Sequence, residues 1–281
     1  MLGTMVTYLT GGSGYLGGEI VRALALNERS ANDEILIPIR EKRGKTGQER
    51  FDALFSDGNS LHKHTKWVAP EDPIPDDTEV VILNAFDVAF HKDIGRVLRE
   101  SVAPTLALLE QCSKLSSKSG NLRKVIVVST AYVQPPLPYR RCDGPITPFN
   151  GAADPWDTYG KLLKGEMGWQ DLVDCKDNDP HFTTNAYIYA KTLLEHLIAT
   201  FTELPRTYIV RPSVIGPSSC GTRGNPASPG CASARLMGSP VGRFMPSSGC
   251  ESVSVHACMA CPPLSLTYAL HSQNTTARIA T

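Results

Sequence analysis

The feature that most restricts the fold is an alternation, between residues 6 and 213, of short apolar runs with longer stretches of helical pattern. We predict strands where β-branched and apolar residues cluster, at residues 6–9, 34–40, 79–84, 124–130 and 207–213. We predict helices between them, at residues 17–27, 46–55, 94–115 and 185–201. This order is typical of a parallel sheet with helices on both faces, so the predicted class is an α/β protein with a doubly wound parallel sheet.

The last part of the chain, residues 218–281, differs in composition from the rest. It holds five charged side chains, all of them Arg or Glu, together with five of the eight cysteines and many Ser, Pro and Gly residues. It shows no sustained strand or helix period. A segment of this composition buries too little apolar surface to offset the entropy of ordering. We therefore predict a poorly structured C-terminal tail after one compact domain at residues 1–217.

Charge and cysteine use argue against several classes of function. The 28 basic and 28 acidic side chains give a formal net charge of zero, and no basic arm indicates a nucleic acid partner. No apolar run approaches the ~18 residues of a spanning helix, so we expect no membrane span. The cysteines show no disulfide spacing, and Cys258 and Cys261 lack the second pair that a zinc site needs. We predict a reduced, cytoplasmic chain without a metal.

A glycine-rich turn lies between the first predicted strand and the first predicted helix. Gly11, Gly14 and Gly17 belong to the segment TGGSGYLG at residues 10–17. In Rossmann-type domains the first glycine of such a turn permits the tight bend, and the second lets the backbone approach a pyrophosphate. The third lets the helix pack on the strand, and the helix N-terminus then faces the phosphates. This segment therefore predicts a dinucleotide cofactor.

The end of the second predicted strand bears on the choice of dinucleotide. An NAD-preferring site places an acid there to hold the ribose 2′-hydroxyl. In this chain the first polar side chain is Arg40, followed by Glu41, Lys42 and Arg43. A guanidinium is suited to pair with a 2′-phosphate and to stack on adenine. We predict NADP(H), with a solvated basic turn as the alternative.

Two polar side chains lie four residues apart on the helix predicted at residues 185–201. Tyr187 and Lys191 fall at the edge of an apolar stripe formed by residues 190, 193, 194, 197, 198 and 201. A nearby ammonium is expected to lower the pKa of the phenol, which prepares Tyr187 to donate and recover a proton. The alternative is an ordinary amphipathic helix, and the predicted dinucleotide fold favours the catalytic interpretation.

A pair of hydroxyl side chains ends the strand predicted at residues 124–130. Open α/β sheets bind ligands at the carboxyl ends of their strands. Either Ser129 or Thr130 is therefore suited to hydrogen-bond a developing oxyanion, and we prefer Thr130. The alternative is a strand that simply ends in two small residues.

These segments together resemble an extended short-chain dehydrogenase/reductase, and most closely the NAD(P)-binding domain of fatty acyl-CoA reductases and related thioester reductases. The resemblance is carried by TGGSGYLG, by IREKRG at residues 39–44, by VVSTAYV at 127–133, by NAYIYAKTLLEHL at 185–197 and by YIVRPSVIGPS at 208–218. It implies an NADPH-dependent oxidoreductase. The implied substrate is an acyl thioester, bound to coenzyme A or to a carrier, which is reduced to an aldehyde or alcohol.

The resemblance also implies the roles of individual residues. It makes Thr130, Tyr187 and Lys191 the catalytic set, in which Thr130 and Tyr187 stabilise and protonate the oxyanion while Lys191 holds the ribose. It puts residues 212–214 beside the nicotinamide. The residues assigned to the cofactor are Thr10, Gly11, Ser13, Gly14, Tyr15, Leu16, Gly17, Arg40, Asn84, Ala85, Lys191, Pro212 and Val214.

Three features depart from the family pattern. Ser101 lies where the family usually has an asparagine, which is expected to loosen the support of the active site. The segment at residues 131–184 is long, and we predict an insertion that covers the substrate, with a surface appendage as the alternative. The family's substrate-binding portion continues well beyond residue 217, so residues 218–281 are either an irregular tail or a truncated substrate domain.

Two other functions stay open at this point. A ketone or aldehyde reductase, or an epimerase of a small metabolite, would use the same fold. A catalytically inactive protein would keep the NADPH site but lack a finished substrate pocket.

Overall fold

Parallel strands form the central sheet in the computed structural model, which describes residues 5–25, 33–55, 62–88, 93–133, 154–174, 185–212, 215 and 279–280. The strands are β1 (Val6–Thr10), β2 (Glu34–Pro38), β3 (Thr65–Val68), β4 (Val80–Leu83), β5 (Lys124–Val128), β6 (Arg206–Val210) and β7 (Ile279–Ala280). All neighbours pair in parallel, in the order β3-β2-β1-β4-β5-β6-β7. The predicted α/β class with a doubly wound, Rossmann-type sheet is confirmed.

Helices cover both faces of this sheet. They are α1 (Tyr15–Ala25), α2 (Gly47–Phe55), α3 (Ile94–Val97), α4 (Ala103–Ser119), α5 (Pro155–Lys164), α6 (Trp169–Asp174) and α7 (Ala186–Ala199). A π-helical turn, Leu98–Val102, continues α3 into α4, so the helix predicted at residues 94–115 is one element with an unpredicted wide turn. Among the helices in the described ranges, none is both long enough and apolar enough to cross a bilayer.

Alternate residues of the strands point to opposite faces of the sheet and enter two separate cores. On one face, Leu9 of β1 and Ile82 of β4 pack with side chains of α1 and α2. On the other face, their neighbours Tyr8 and Val81 pack with α3, α4 and α7, including Leu193. Because both faces are covered, β1 is buried along its whole length and β4 along most of it, as the apolar runs in the sequence require.

Short-range signals in the sequence set the ends of the helices. Before α2, the Glu49 amide donates to Oγ1 of Thr46 at 3.2 Å, and the Thr46 amide donates to the Glu49 carboxylate at 2.7 Å. The Asn185 side chain accepts from the Ile188 amide at 2.9 Å and so begins α7. Gly120, with a φ of 65°, ends α4.

Some elements were not predicted from the sequence. β3 extends the sheet beside β2. α5 and α6 lie within residues 131–184. Their Leu162 and Leu172 are buried in the core that α3, α4 and α7 form with the sheet. In the tail predicted to be irregular, β7 pairs with the free edge of β6, whose unpaired backbone groups accept a neighbouring strand. The other residues of 218–281 lie outside the described residues.

Candidate active site

The carboxyl ends of four neighbouring strands carry most of the predicted site residues. The glycine turn follows β1, Asn84 and Ala85 follow β4, Thr130 lies just past β5, and Pro212 lies just past β6. The chain order of the strands reverses between β1 and β4, which is the position where open α/β sheets bind their ligands. The structure therefore brings these residues to one edge of the sheet.

The glycine turn has the geometry that its sequence predicts. Gly11 has a φ of 71°, and a Cβ there would lie 2.9 Å from the backbone Cα of Ala85. A Cβ on Gly17 would overlap the carbonyl oxygen of Gly11, because α1 packs directly on the end of β1. The Gly14 amide donates to the Gly11 carbonyl at 2.9 Å and closes the turn. Larger side chains at Gly11 or Gly17 would displace this turn.

Thr10 joins the glycine turn to the end of β4. Its Oγ1 accepts from the amides of Asn84 and Ala85, each at 3.0 Å, and donates to the carbonyl of Ile82 at 3.4 Å. The Asn84 side chain donates in turn to the Gly11 carbonyl at 3.4 Å. One hydroxyl thus fixes the distance between two segments that are both predicted to contact the cofactor.

The residues present fit a dinucleotide. α1 begins directly after the glycine turn, its first turn has no acidic side chain, and Ser13 and Gly14 before it are exposed. These groups suit an anionic pyrophosphate. Arg40 is exposed just past β2, and its carbonyl accepts a hydrogen bond from the Arg50 guanidinium. The assignment of Arg40 to a phosphate group of the cofactor stays a prediction.

Thr130 and Tyr187 meet at the end of β5. Their side chains are hydrogen-bonded, and this contact favours the tyrosinate. Burial acts in the opposite direction and dominates, raising the pKa of Tyr187 to about 12. The predicted lowering of the Tyr187 pKa is therefore wrong, because desolvation of the phenol outweighs the hydrogen bond with Thr130.

The Lys191 amino group is buried, with 3% of the residue exposed. Its Nζ donates to the carbonyl of Val128 and lies 3.8 Å from the centroid of the Phe86 ring. Burial lowers the pKa of Lys191 to about 7, and the nearby Glu195 carboxylate opposes that shift. The predicted position at the edge of an apolar stripe is also wrong, because α7 is buried on nearly every side and packs against α3, α5 and the π-helical turn.

A buried ionic cluster that the sequence did not predict lies one turn beyond Lys191. The Glu195 carboxylate forms an ion pair with the guanidinium of Arg211, whose Nε donates to it at 3.0 Å. The Ser129 hydroxyl donates to the same carboxylate. Thr130, and not Ser129, therefore has its hydroxyl beside Tyr187. The four-residue spacing of Lys191 and Glu195 could have placed the carboxylate one turn from the amino group, but it gives no sign of Arg211 or Ser129.

The remaining predicted residues divide into two groups. Pro212 lies beside the strand-end hydroxyls, since its carbonyl accepts from the Ala131 amide at 2.9 Å. Ser101 is buried in the π-helical turn, and its Oγ accepts from the Asp87 amide at 3.1 Å. Ser213 and Val214, which are predicted beside the nicotinamide, lie outside the described residues. The tail cysteines do so as well. Within the described ranges, no three His, Cys, Asp or Glu side chains are grouped so as to hold a metal ion.

The chain matches known proteins along most of its length. The sequence model of the NAD-binding family described as "Male sterility protein" matches residues 9–71 and 71–239. Fatty acyl-CoA reductase 1 from Rattus norvegicus and from Homo sapiens are each 26% identical over 231 residues, which cover 75% of this chain. Those residues are 43% of either relative, so the chain spans less than half the length of the curated relatives that it matches.

Solved structures with a similar fold include the terminal R domain from the myxalamid PKS-NRPS biosynthetic pathway. It is 18% identical with a TM-score of 0.49, and the match covers 78% of this chain and 52% of that one.

Proposed function

The chain belongs to the NAD-binding family described as male sterility proteins, and from that premise we propose that it is an NADPH-dependent reductase of acyl thioesters. The acyl group would be carried on coenzyme A or on a carrier protein, and the product would be an aldehyde or alcohol. The observation that carries the proposal is the contact of Thr130 with Tyr187 on α7, beside Lys191, at the sheet edge where the glycine turn lies. The similarity to fatty acyl-CoA reductases supports the substrate class.

In the proposed reaction each residue has a separate task. NADPH supplies a hydride when bound. The hydroxyls of Thr130 and Tyr187 hydrogen-bond the thioester oxygen as it gains negative charge, and Tyr187 donates the proton. Lys191 holds the ribose and carries positive charge beside the phenol. The overall change joins one hydride and one proton to the acyl thioester and releases an aldehyde and a thiol, and a second round would give the alcohol.

The activity is tested by following NADPH oxidation by the purified chain. Long-chain acyl-CoA thioesters are compared with simple ketones and aldehydes, and NADPH binding is measured separately by fluorescence. Oxidation that depends on the thioester, with release of free thiol, supports the proposal. Oxidation with ketones or aldehydes alone supports a carbonyl reductase instead. NADPH binding without oxidation of any substrate supports an inactive binding protein. Both of the last two outcomes contradict the proposal.

Variants on α7 identify the catalytic residues. Tyr187→Phe is expected to abolish turnover and leave NADPH binding nearly unchanged, because only the proton donor is lost. Lys191→Ala is expected to reduce both, since the amino group is assigned to the ribose as well as to Tyr187. Tyr189→Phe removes a hydroxyl two residues away in the core and serves as the control for the helix. Wild-type turnover by Tyr187→Phe would refute the assignment.

Cofactor choice is tested at Arg40, which is proposed to pair with the 2′-phosphate. Arg40→Asp replaces a charge-assisted contact by repulsion, so NADPH should bind about 10- to 100-fold more weakly while NADH binding changes little. Lys164→Asp makes a matched charge change at the end of α5 and should affect neither. Unchanged NADPH affinity in Arg40→Asp would contradict the preference for NADPH.

A further inference from the structure

Phe86 contacts two members of the proposed catalytic set at the same time. Its ring centroid lies 3.8 Å from Nζ of Lys191. The same ring meets the ring of Tyr187 edge-on, with the centroids 5.6 Å apart and the planes at 78°. The ring face of a phenylalanine carries partial negative charge and attracts a cation, while edge-to-face contact between rings is a favoured geometry. Phe86 is therefore positioned to act on both side chains.

The backbone around Phe86 is anchored on both sides. The preceding amides, of Asn84 and Ala85, donate to the Thr10 hydroxyl at 3.0 Å. The following amide, of Asp87, donates to Oγ of Ser101 in the π-helical turn at 3.1 Å. One anchor belongs to the strand that carries the glycine turn, and the other belongs to the long helix packed against α7. The direction of the Phe86 ring thus follows from backbone hydrogen bonds made by its neighbours.

Among the residues that the structure describes, few groups act on the charge of Lys191. From its own helix the charged neighbour is Glu195, whose carboxylate is already bonded to Arg211 from the end of β6 and to Ser129 from the end of β5. Tyr187, one turn before, is uncharged because burial raises its pKa to about 12. β5 contributes the Val128 carbonyl, which is neutral.

From the end of β4, the Phe86 ring face meets the ammonium of Lys191, while the charge of the next residue, Asp87, acts on Arg96. A buried ammonium tends to lose its proton to water, so each group that favours the cation has a measurable effect. The ring face is one such group, because an ammonium binds an aromatic face most strongly when both are shielded from water.

We propose that Phe86 is a positioning residue for the proposed reductase, in which its ring face keeps Lys191 protonated and its contact with Tyr187 holds the phenol beside Thr130. The inference rests on the proposed function only in assigning Lys191 and Tyr187 to the reaction. A neutral Lys191 would lose the positive charge that supports the phenol after it has given up its proton. Phe86 would therefore extend the pH range over which the site works, toward the alkaline side.

The test compares Phe86→Leu, which keeps an apolar side chain without a π face, with Phe86→Tyr, which keeps the face. Protein isotope-labelled at the lysine Cε is titrated by NMR, and the Lys191 signal is identified by its loss in Lys191→Met. The midpoint of the Lys191 titration should fall by about one pH unit in Phe86→Leu and stay at the wild-type position in Phe86→Tyr. An unchanged midpoint in Phe86→Leu would overturn the proposal.

Two additions keep the test decisive. If Phe86→Leu does not fold, Phe86→Met takes its place, with the same expected fall and the same contradicting result. Ser101→Ala removes the anchor after Phe86 and should give a smaller fall in the same direction. The NMR titration needs no turnover, so a wild-type chain that reduces no thioester would refute the proposed function while the Lys191 midpoints still decide the effect of Phe86. Where turnover is present, the alkaline limb of the pH–rate profile should move with the midpoint.

Discussion

Replacement of Lys191 by methionine should remove one defined contribution to the pH dependence of the protein's stability. Lys191 is buried, and burial lowers the pKa of its amino group from the ordinary 10.5 to about 7. Between these two pKa values the unfolded chain binds a proton at this position that the folded chain does not bind. The free energy of unfolding must therefore rise with pH over that interval. Below it Lys191 is protonated in both states, so the group adds no pH dependence there.

The size of the effect follows from the two pKa values. Integration of the proton linkage from about pH 7 to about pH 9 gives a rise of about 2 kcal/mol for a single group. The interval stops near pH 9 because burial also raises the pKa of the Cys112 thiol, from 9.0 to about 12. Ionisation of that thiol in the unfolded chain reduces stability at higher pH. Tyr8 and Tyr187, with pKa values raised to about 12, act only above their ordinary value of 10.0.

The measurement is urea unfolding of wild type and Lys191→Met at both pH values. The free energy of unfolding of wild type relative to the variant should increase by about 2 kcal/mol from the lower pH to the higher one. Lys161→Met is the control, because the exposed Lys161 pairs with Asp157 and its pKa is raised, so it stays charged in both states throughout. A difference between wild type and Lys191→Met that is the same at both pH values would refute the reasoning.

Three further outcomes are expected. Gly17→Ala drives a methyl group into the glycine turn and should abolish NADPH binding or folding, whereas Gly18→Ala, with no atom within 4 Å, should be nearly neutral in urea unfolding. Glu195→Gln leaves the buried Arg211 without its charged partner and should cost about 3–5 kcal/mol, part of which Arg211→Met in the same chain should restore. Cys112 is buried with a raised pKa, so mass spectrometry should find its peptide modified by thiol reagents only after denaturation.

The fold was predictable because local patterns agree with the tertiary structure. Apolar runs gave the positions of β1, β2, β4, β5 and β6, and the alternation with helices gave their parallel arrangement. β3 was missed because no clear apolar run marks its four residues, TKWV. It lies at the outer end of the sheet, where one of these residues is exposed and two are partly buried. α5 and α6 were missed because residues 131–184 were predicted as an insertion, and no helices were assigned within it.

The site was predictable only where sequence spacing fixes geometry. The four-residue spacing put Tyr187 and Lys191 on one helix, and the strand-end position brought Thr130 to them. The contact with Phe86 joins the end of β4 to α7 across the fold, and no spacing within the sequence encodes it. The direction of the Tyr187 pKa shift was also beyond reach, because it depends on how completely neighbouring elements exclude water.

The π-helical turn between α3 and α4 fixes the number of residues that this part of the chain can have. Ile94, Leu98, Val102 and Leu106 recur every four residues and are all buried in the same core. In a regular α-helix such a row drifts by about 40° at each step, or about 120° over three steps. The additional residue of the π-helical turn turns the later part of the helix back by about 100° and returns the row to the sheet. Substitutions in residues 98–102 can preserve this alignment, whereas the loss or gain of one residue would rotate α4 and carry its apolar side chains into water.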